Sequence, residues 1–162
     1  MAYTYGTTDK LRIYLSVNNR QSIMMMPVTP PEFNVDKPRT NETFDTVRAG
    51  EINLIGNEQL KTVSFSSIFP RRKYPFANYY FGISDIDDES RNFSPITEYV
   101  DGFSYVEYLD RWYRDKLPMR LVITTTDINM PVTISDFSYK IGTTGDIEYS
   151  ITLQEVRLFD GY

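Results

Sequence analysis

A strict two-residue alternation near the carboxyl end of the sequence constrains the fold more than any other feature. Its apolar members are Ile147, Tyr149, Ile151 and Leu153. A period of two places them on one face of a β-strand whose opposite face is polar. The alternation slips by one residue after Leu153, and a similar slip follows Ile134 in the preceding strand-like run. Because one extra residue reverses the faces of a strand, these slips predict β-bulges of the kind that bend sheets into barrels.

Other runs of alternating or β-branched residues predict further short strands. They cover residues 11–17, 21–26, 40–48, 51–55, 60–65, 119–126 and 130–139. A turn at Ala49-Gly50 separates two of them, since Gly tolerates positive φ. Three prolines within residues 27–31 predict an irregular stretch that cannot fill a central strand. The chain is therefore predicted to be mainly β.

One helix is predicted over about 103–116. Ser104 and Glu107 have the spacing of a capping box, in which each side chain satisfies a free backbone N–H of the other residue. Apolar residues at helical spacing predict a face that packs on the sheet. They are Tyr105, Val106, Leu109, Trp112 and Tyr113. Trp112 is interpreted as a core residue of this face, with an interface anchor as the alternative.

The composition excludes several classes of function. With no histidine and no cysteine, the chain cannot build a Ser-His-Asp or Cys-His nucleophile or a Cys/His zinc site. No Gly-rich phosphate-binding motif occurs in the sequence. We therefore expect no cofactor, no metal and no enzymatic activity. The net charge of -5 argues against specific binding of nucleic acid.

The size and the lack of export signals indicate where the chain folds. At 41% hydrophobic and 24% charged residues, the chain of 162 residues suits a single globular domain spanning 1–162. No apolar run approaches the roughly 20 residues of a membrane span. The first residues lack the basic and apolar regions of a signal peptide. We expect a cytoplasmically made protein without membrane contact, held together by packing or assembly instead of disulfides.

Residues 70–102 lack a periodic pattern and form a predicted insertion in this domain. An irregular segment of this length is unusual inside a compact domain, so we expect it to contact a partner. The candidate interface residues form a basic stretch, an aromatic cluster and an acidic group: Arg71, Arg72, Lys73, Tyr74, Tyr79, Tyr80, Phe81, Asp85, Asp87 and Asp88. Opposite charges would fix the register of a subunit interface, and the aromatic side chains would supply the binding energy.

Each part of this set also has a simpler interpretation. The basic stretch suits an exposed turn, the aromatic cluster suits the core equally well, and the acidic group suits a solvated loop. The acidic group could also hold Ca²⁺ or supply paired carboxylates, although its spacing is not that of a calcium loop. The whole segment could instead fold back over its own core.

Several segments taken together resemble a family of phage proteins. They are residues 26–33, 50–76, the helix carrying Trp112, 118–134 and 145–157. Their order is similar to that of the amino-terminal domain of LysM-containing phage tail and baseplate proteins, the PBSX-prophage-like tail protein family. The two strand-like runs that meet at Gly56-Asn57 carry most of this resemblance.

The resemblance implies a fold of tail-tube type, with bent antiparallel sheets or a split β-barrel flanked by one α-helix. It implies a structural subunit of a virion tail or of a phage-derived contractile particle, acting as a tail tube initiator or hub adaptor. Such subunits form a homo-oligomeric ring of about six copies, a hexamer, between the tail tube protein and the baseplate hub or spike proteins. They assemble in the host bacterial cytoplasm. No LysM module follows in this sequence, so peptidoglycan binding is not implied.

A cell-wall polysaccharide-binding or hydrolysing β-domain is the alternative function. The chain has thirteen Tyr, whose rings can form platforms for sugars, and its Asp and Glu residues could supply a carboxylate pair.

Overall fold

The computed structural model describes residues 11–17, 22–83 and 97–157. Within these ranges the chain forms ten strands and one helix. The strands are β1 (Ile13–Val17), β2 (Ser22–Met25), β3 (Phe33–Asp36), β4 (Glu42–Thr46), β5 (Gly50–Leu54), β6 (Thr62–Phe69), β7 (Phe81–Ile83), β8 (Met119–Ile123), β9 (Asn129–Ile141) and β10 (Ile147–Glu155), and the helix α1 is Gly102–Arg114.

Eight of these strands form one antiparallel sheet in the order β3-β6-β10-β9-β8-β1-β2-β7, and β4 and β5 form a separate hairpin. The predicted fold class is confirmed, since the protein is mainly β with one helix. Within the described ranges the edge strands β3 and β7 each pair on one side only, so the sheets do not close into a barrel. The β-barrel named with the tail-tube resemblance is therefore not confirmed.

The alternating apolar residues of the central strands pack together with α1 in one core. The four members in β10 are at most 3% exposed, as their alternation predicts. The fully buried residues that β1, β8 and α1 add are Ile13, Leu15, Met119, Leu121, Ile123, Tyr105 and Leu109. Burial of one such side chain stabilises the fold by about 1.5–3 kcal/mol.

β9 contains the bulge that the sequence predicts after Ile134. In the pairing of β9 with β10, Leu153 lies opposite Ile134. The next pair is Thr152 with Asp136, which leaves Ser135 as the extra residue. The Ser135 hydroxyl donates a hydrogen bond to the Thr152 carbonyl oxygen at 3.1 Å. The second predicted bulge, after Leu153, is wrong, because β10 keeps its register with β6 and then ends.

Two short strands lie where the sequence predicts irregular chain. β3 follows the three prolines and pairs only with β6, so it occupies a sheet edge, where prolines are tolerated nearby. β7 lies inside the predicted insertion and pairs with β2, which places Phe81 opposite Met24. These strands have 4 and 3 residues, too few for a two-residue period to become visible.

α1 begins close to its predicted start but has a different cap. The Asp101 side chain accepts a hydrogen bond from the Phe103 N–H at 3.2 Å, which makes Asp101 the N-cap. The predicted capping box of Ser104 and Glu107 is wrong, because both residues already lie inside the helix. The predicted buried face is confirmed at Tyr105, Val106, Leu109 and Trp112. Tyr113, also predicted on this face, is 49% exposed.

Candidate assembly surface

Beyond the paired ends of β3 and β6, the chain continues outward as a two-stranded ribbon. This β-arm, residues 37–61, contains β4 and β5. Pairing persists at its base, where the Gln59 N–H donates to the Pro38 carbonyl oxygen at 2.8 Å. Arg39 and Glu58 pair across the same ribbon, and their side chains form an ion pair at 3.4 Å. Because the ribbon extends β3 and β6, it leaves the sheet along the direction of those strands.

Local hydrogen bonds fix the shape of the β-arm. The Thr46 hydroxyl donates to the Gly50 carbonyl oxygen at 2.9 Å and accepts from the Ala49 N–H at 3.0 Å. Gly50 has a φ of +72°, which confirms the turn predicted at Ala49-Gly50. Nearer the base, the Gly56 N–H donates to the Asn41 side chain at 2.9 Å. A Cβ at Gly56 would collide with the backbone of the opposite strand, so only glycine allows this close crossing.

The two faces of the β-arm have opposite chemistry. Phe44 lies opposite Ile52, and Leu54 follows on the same face. These three side chains are 46%, 37% and 47% exposed, respectively. On the other face Asp45 lies opposite Glu51. Like charges directly opposite each other destabilise a strand pair, so this second face favours water or a cation.

Neither face of the β-arm is buried by the described part of the chain. All residues from 36 to 59 are exposed except Thr46 and Gly56, which are half-buried. An isolated two-stranded hairpin is only marginally stable in water. Contiguous apolar side chains on a surface mark a contact site. The β-arm therefore has the chemistry of a segment that packs against a second surface.

The start of the predicted insertion is held against its own domain. Asp146, directly before β10, accepts hydrogen bonds from the Arg71 N–H at 3.0 Å and from the Tyr74 phenol at 2.6 Å. The Arg72 guanidinium donates to the Thr144 carbonyl oxygen at 2.7 Å. We call Asp146, Arg71, Arg72 and Tyr74 the Asp146 latch. It joins the chain after β6 to the turn between β9 and β10.

The hydrogen bonds of the Asp146 latch favour its ionised carboxylate. Burial by itself raises the pKa of Asp146. The hydrogen bonds from Tyr74 and from the Arg71 backbone, together with the Arg72 charge, outweigh burial and place this pKa below its ordinary value. The hydrogen bond between the Tyr74 phenol and Asp146 is also the main cause that raises the pKa of Tyr74. The Arg71 guanidinium also pairs with Asp101 at 3.3 Å, which connects the latch to the N-cap of α1.

The predicted basic stretch is therefore engaged within its own chain. Two of its three residues, Arg71 and Arg72, belong to the Asp146 latch together with Tyr74, and Lys73 is exposed. Exposed parts of Arg71 and Arg72 still face solvent. Their contact with a neighbouring subunit stays a prediction.

The predicted aromatic cluster lies mainly in the core. Tyr79 and Phe81 are 8% and 4% exposed, and Tyr80 packs edge-to-face on Tyr14 with ring centres 6.1 Å apart. For residues 79–81 the structure therefore shows the alternative interpretation, in which the segment folds back over its own core. The acidic members of the predicted set lie outside the described residues: Asp85, Asp87 and Asp88.

A groove of about 620 Å³ lies on the sheet at the far end of β6 from the β-arm. Adjacent residues of β6, β10 and β9 form its floor, the segment between β2 and β3 forms a wall, and its surface is mostly apolar. We call it the sheet groove and define it by Val28, Pro31, Ile68, Ser138, Lys140 and Ser150. Lys140 and Glu148, which also lines the groove, form an ion pair at 3.1 Å. The groove is open and wide enough to admit apolar side chains from a second segment.

Residues 11–17, 22–83 and 97–157 contain neither a cluster of metal-ligand side chains nor a membrane-spanning helix. No three His, Cys, Asp or Glu side chains come close enough there to hold a metal ion. The same ranges contain no helix with the length and apolarity that a membrane crossing requires.

The sequence predicted β4 and β5 as strands but did not indicate that their apolar face is exposed. The signal was present, since Phe44, Ile52 and Leu54 alternate with polar residues as in a half-buried strand. Alternation identifies an apolar face without identifying what covers it. The exposure of this face became visible only in the structure.

Comparison with known proteins adds a relative and a fold. No family model matches the sequence. A Bacillus subtilis (strain 168) protein, the uncharacterized protein YqbP, is 30% identical over 136 residues, which are 83% of this chain and 54% of the relative. The chain thus spans about half the length of the curated relative that it matches.

Two solved structures align with nearly the whole chain. A chain in the virion of a native gene transfer agent particle has a TM-score of 0.50 at 10% identity, with 94% of this chain and 95% of that chain covered. A chain in the anti-feeding prophage baseplate has a TM-score of 0.48 at 8% identity, with 97% and 95% covered. At such identities, these likenesses concern the fold alone.

Proposed function

We propose that this protein is a structural subunit of a phage tail or of a phage-like particle, in which it forms a ring that connects the tail tube to the baseplate and hub. The observation that carries the proposal is the β-arm, a two-stranded ribbon whose apolar face is exposed. Support also comes from the sequence resemblance to tail and baseplate proteins and from the fold shared with a chain of a gene transfer agent virion.

The proposed mechanism is geometric. A subunit of a ring needs surfaces that meet neighbouring copies and surfaces that meet the layers above and below. The β-arm is one such surface, and the edge strands β3 and β7, each paired on one side in the described ranges, offer backbone groups to a further strand. We propose the tail tube protein and the hub or spike proteins as the other partners, and the tail or baseplate, assembled in the host bacterial cytoplasm, as the location.

We also propose that the protein has no catalytic role. A chain without histidine and cysteine must build any hydrolytic site from carboxylates. The one buried carboxylate of the described residues, Asp146, is occupied by hydrogen bonds from Arg71 and Tyr74. This carboxylate organises the fold, which suits a connector better than a hydrolase.

The test is assembly, measured by size-exclusion chromatography with light scattering and by electron microscopy of negatively stained samples. The chain alone, and mixed with the tube and hub proteins of the same particle, is expected to form rings that join the end of a tube. A lasting monomer that ignores both partners would overturn the proposal. Retention on purified peptidoglycan, or clearing of cell walls in a turbidity assay, would favour the polysaccharide alternative instead.

A further inference from the structure

We infer that the β-arm of one copy binds the sheet groove of a second copy of this chain, through Phe44, Ile52 and Leu54. The inference deepens the proposed function and rests on it only in taking the resulting assembly to be a closed ring. The partner of the exposed face of the β-arm is therefore a second copy of the same chain.

The chemistry of the two faces decides which of them docks. The acidic face carries Asp45 directly opposite Glu51, and removing two unpaired carboxylates from water is costly. The apolar face gains free energy when water leaves it, because Phe44, Ile52 and Leu54 remain between a third and a half exposed. The apolar face therefore meets the groove and the acidic face stays in water.

The β-arm does not cover the groove of its own copy, since none of its residues lines that groove. It joins the sheet at Asp36 and Thr62, whereas the groove lies beside residues 66–68 at the other end of β6. The paired base, braced by a hydrogen bond from Arg157 to the Glu58 carbonyl oxygen at 2.9 Å, carries the ribbon away from that end. At about 3.3 Å per residue, the β-arm extends up to roughly 30 Å, which is enough to reach an adjacent domain. Among the described residues the groove is left open, so the β-arm of a second copy can occupy it.

The sheet groove has the matching chemistry. Its surface is mostly apolar, with exposed Ser138 and Ser150 on its floor, whose small side chains leave room for larger ones. Glu42 is the one charged residue paired on the apolar face of the β-arm, opposite Leu54. Lys140 is the one cation among the described residues that line the groove, and it already pairs with Glu148, so Glu42 would share it. Contact between Glu42 and Lys140 would fix the orientation of the docked β-arm without adding much affinity.

The symmetry of the contact follows from the two surfaces that it joins. The β-arm and the sheet groove are different surfaces of one chain, so the contact is heterologous. A row of copies joined by a heterologous contact has a free β-arm at one end and a free groove at the other until a ring closes, and otherwise it grows into a filament.

Two complementary variants test this contact. The arm variant carries Phe44→Ser with Ile52→Ser, and the groove variant carries Ser150→Arg, which places a large charged side chain on the groove floor. Each variant alone is expected to self-associate on the order of 100-fold more weakly than the wild type. Mixed in equal amounts, they should form a heterodimer and nothing larger, because the mixture has only one intact β-arm and one intact groove per pair. Light scattering and sedimentation velocity measure both results.

Matched controls occupy the same elements. The cross-strand pair Thr43 and Asn53 lies on the opposite face of the β-arm, so Thr43→Ser with Asn53→Ser should assemble as the wild type does. Gln154→Arg adds the same side chain to β10 at an exposed position outside the groove, and it should also assemble normally.

Several results would overturn the contact. They are a mixture of the two variants that stays monomeric, a groove variant that assembles normally, or a wild-type chain that remains monomeric at its highest soluble concentration. An arm variant that still self-assembles but no longer binds the tube protein assigns the β-arm to that partner and also overturns the contact.

The same samples separate this contact from the proposed function. If the heterodimer forms but the wild type makes open filaments and ignores tube and hub proteins, the contact stands and the connector role is lost. If the arm variant still forms rings that join a tube, the connector role stands and the contact is lost.

Discussion

β6 leads into a different kind of segment at each end. Before Thr62 lies the β-arm, and after Phe69 lies the chain that enters the Asp146 latch. Both segments are rich in charged residues and leave the sheet, yet the latch makes hydrogen bonds within the domain while the β-arm stays exposed on both faces. The difference teaches that the latch region contributes to folding, whereas the β-arm is available for association. Substitutions in the two regions should therefore change different measurements.

The largest expected contrast is between two phenylalanines. Phe81, which follows the latch, is 4% exposed and packs against Tyr105 and Tyr108 at ring distances of 5.5 and 4.8 Å. Phe81→Ala should lower the free energy of unfolding by about 3–5 kcal/mol, because it leaves a cavity in the core. Phe44→Ala in the β-arm should change it by less than about 0.5 kcal/mol. Urea unfolding of dilute monomer, followed by the fluorescence of Trp112, measures both values.

Equal losses in the two variants would contradict the comparison, since they would mean that Phe44 is covered within the monomer. Leu54→Ala, on the same face of the β-arm, is the matched control and should behave as Phe44→Ala does.

A smaller effect is expected at the centre of the latch. Asp146→Asn removes a charged acceptor from the Arg71 N–H and the Tyr74 phenol, and it should lower the free energy of unfolding by about 1–3 kcal/mol at neutral pH. The pKa of Asp146 lies below its ordinary 3.8 in the folded protein. Its contribution is therefore fully present above that value and is lost as the pH falls through the folded-state pKa. Unfolding curves from roughly pH 6 to pH 3 should show the difference between wild type and variant narrowing at the acid end.

Asp136→Asn provides the control, because this exposed carboxylate lies on β9 outside the latch. It should change stability by less than about 0.5 kcal/mol. A difference between wild type and Asp146→Asn that stays constant over the whole pH range would show that the carboxylate charge does not stabilise the latch.

The smallest expected effect is within the β-arm itself. Glu51→Lys replaces the like-charged pair with Asp45 by an opposite-charged pair, and it should slow amide hydrogen exchange in β4 and β5 by about twofold. The thermal midpoint of the domain should not move, because the β-arm is not part of the core. Glu51→Gln removes the repulsion without adding attraction. Its rate of amide exchange in β4 and β5 should therefore lie between those of the wild type and of Glu51→Lys. A shift of the thermal midpoint by several degrees would show that the β-arm contributes to the stability of the domain, which contradicts the comparison.

Much of the fold could be predicted from local patterns. The alternation of Ile147 to Leu153 predicted β10 and its buried face, and the phase slip after Ile134 predicted the bulge at Ser135. Helical spacing predicted the buried face of α1. The cap of α1 was mispredicted because Asp101 and Ser104 are both good N-cap residues. In the structure the Gly102 N–H donates to the Pro70 carbonyl oxygen at 3.0 Å, a long-range contact that the local pattern does not contain.

The candidate site was predicted less well. The aromatic residues after Pro70 suggested an interface, but Tyr79 and Phe81 fill the core through β7, a strand too short to predict. The residues that the structure presents for contact, in β4 and β5, resemble ordinary half-buried strands in sequence. Apolar residues alternate in the same way in the sequence whether they are buried by their own chain or by another.

The sequence by itself determined which residues alternate, where turns occur and which chemistries a chain without histidine and cysteine cannot perform, because these properties depend on residue type and near neighbours. Only the tertiary structure decided which apolar faces are covered, since coverage depends on contacts between residues far apart in the chain. Asp146 meets Arg71 and Tyr74 across more than seventy residues. By the same long-range folding, Phe44, Ile52 and Leu54 are carried away from the core and left at the surface.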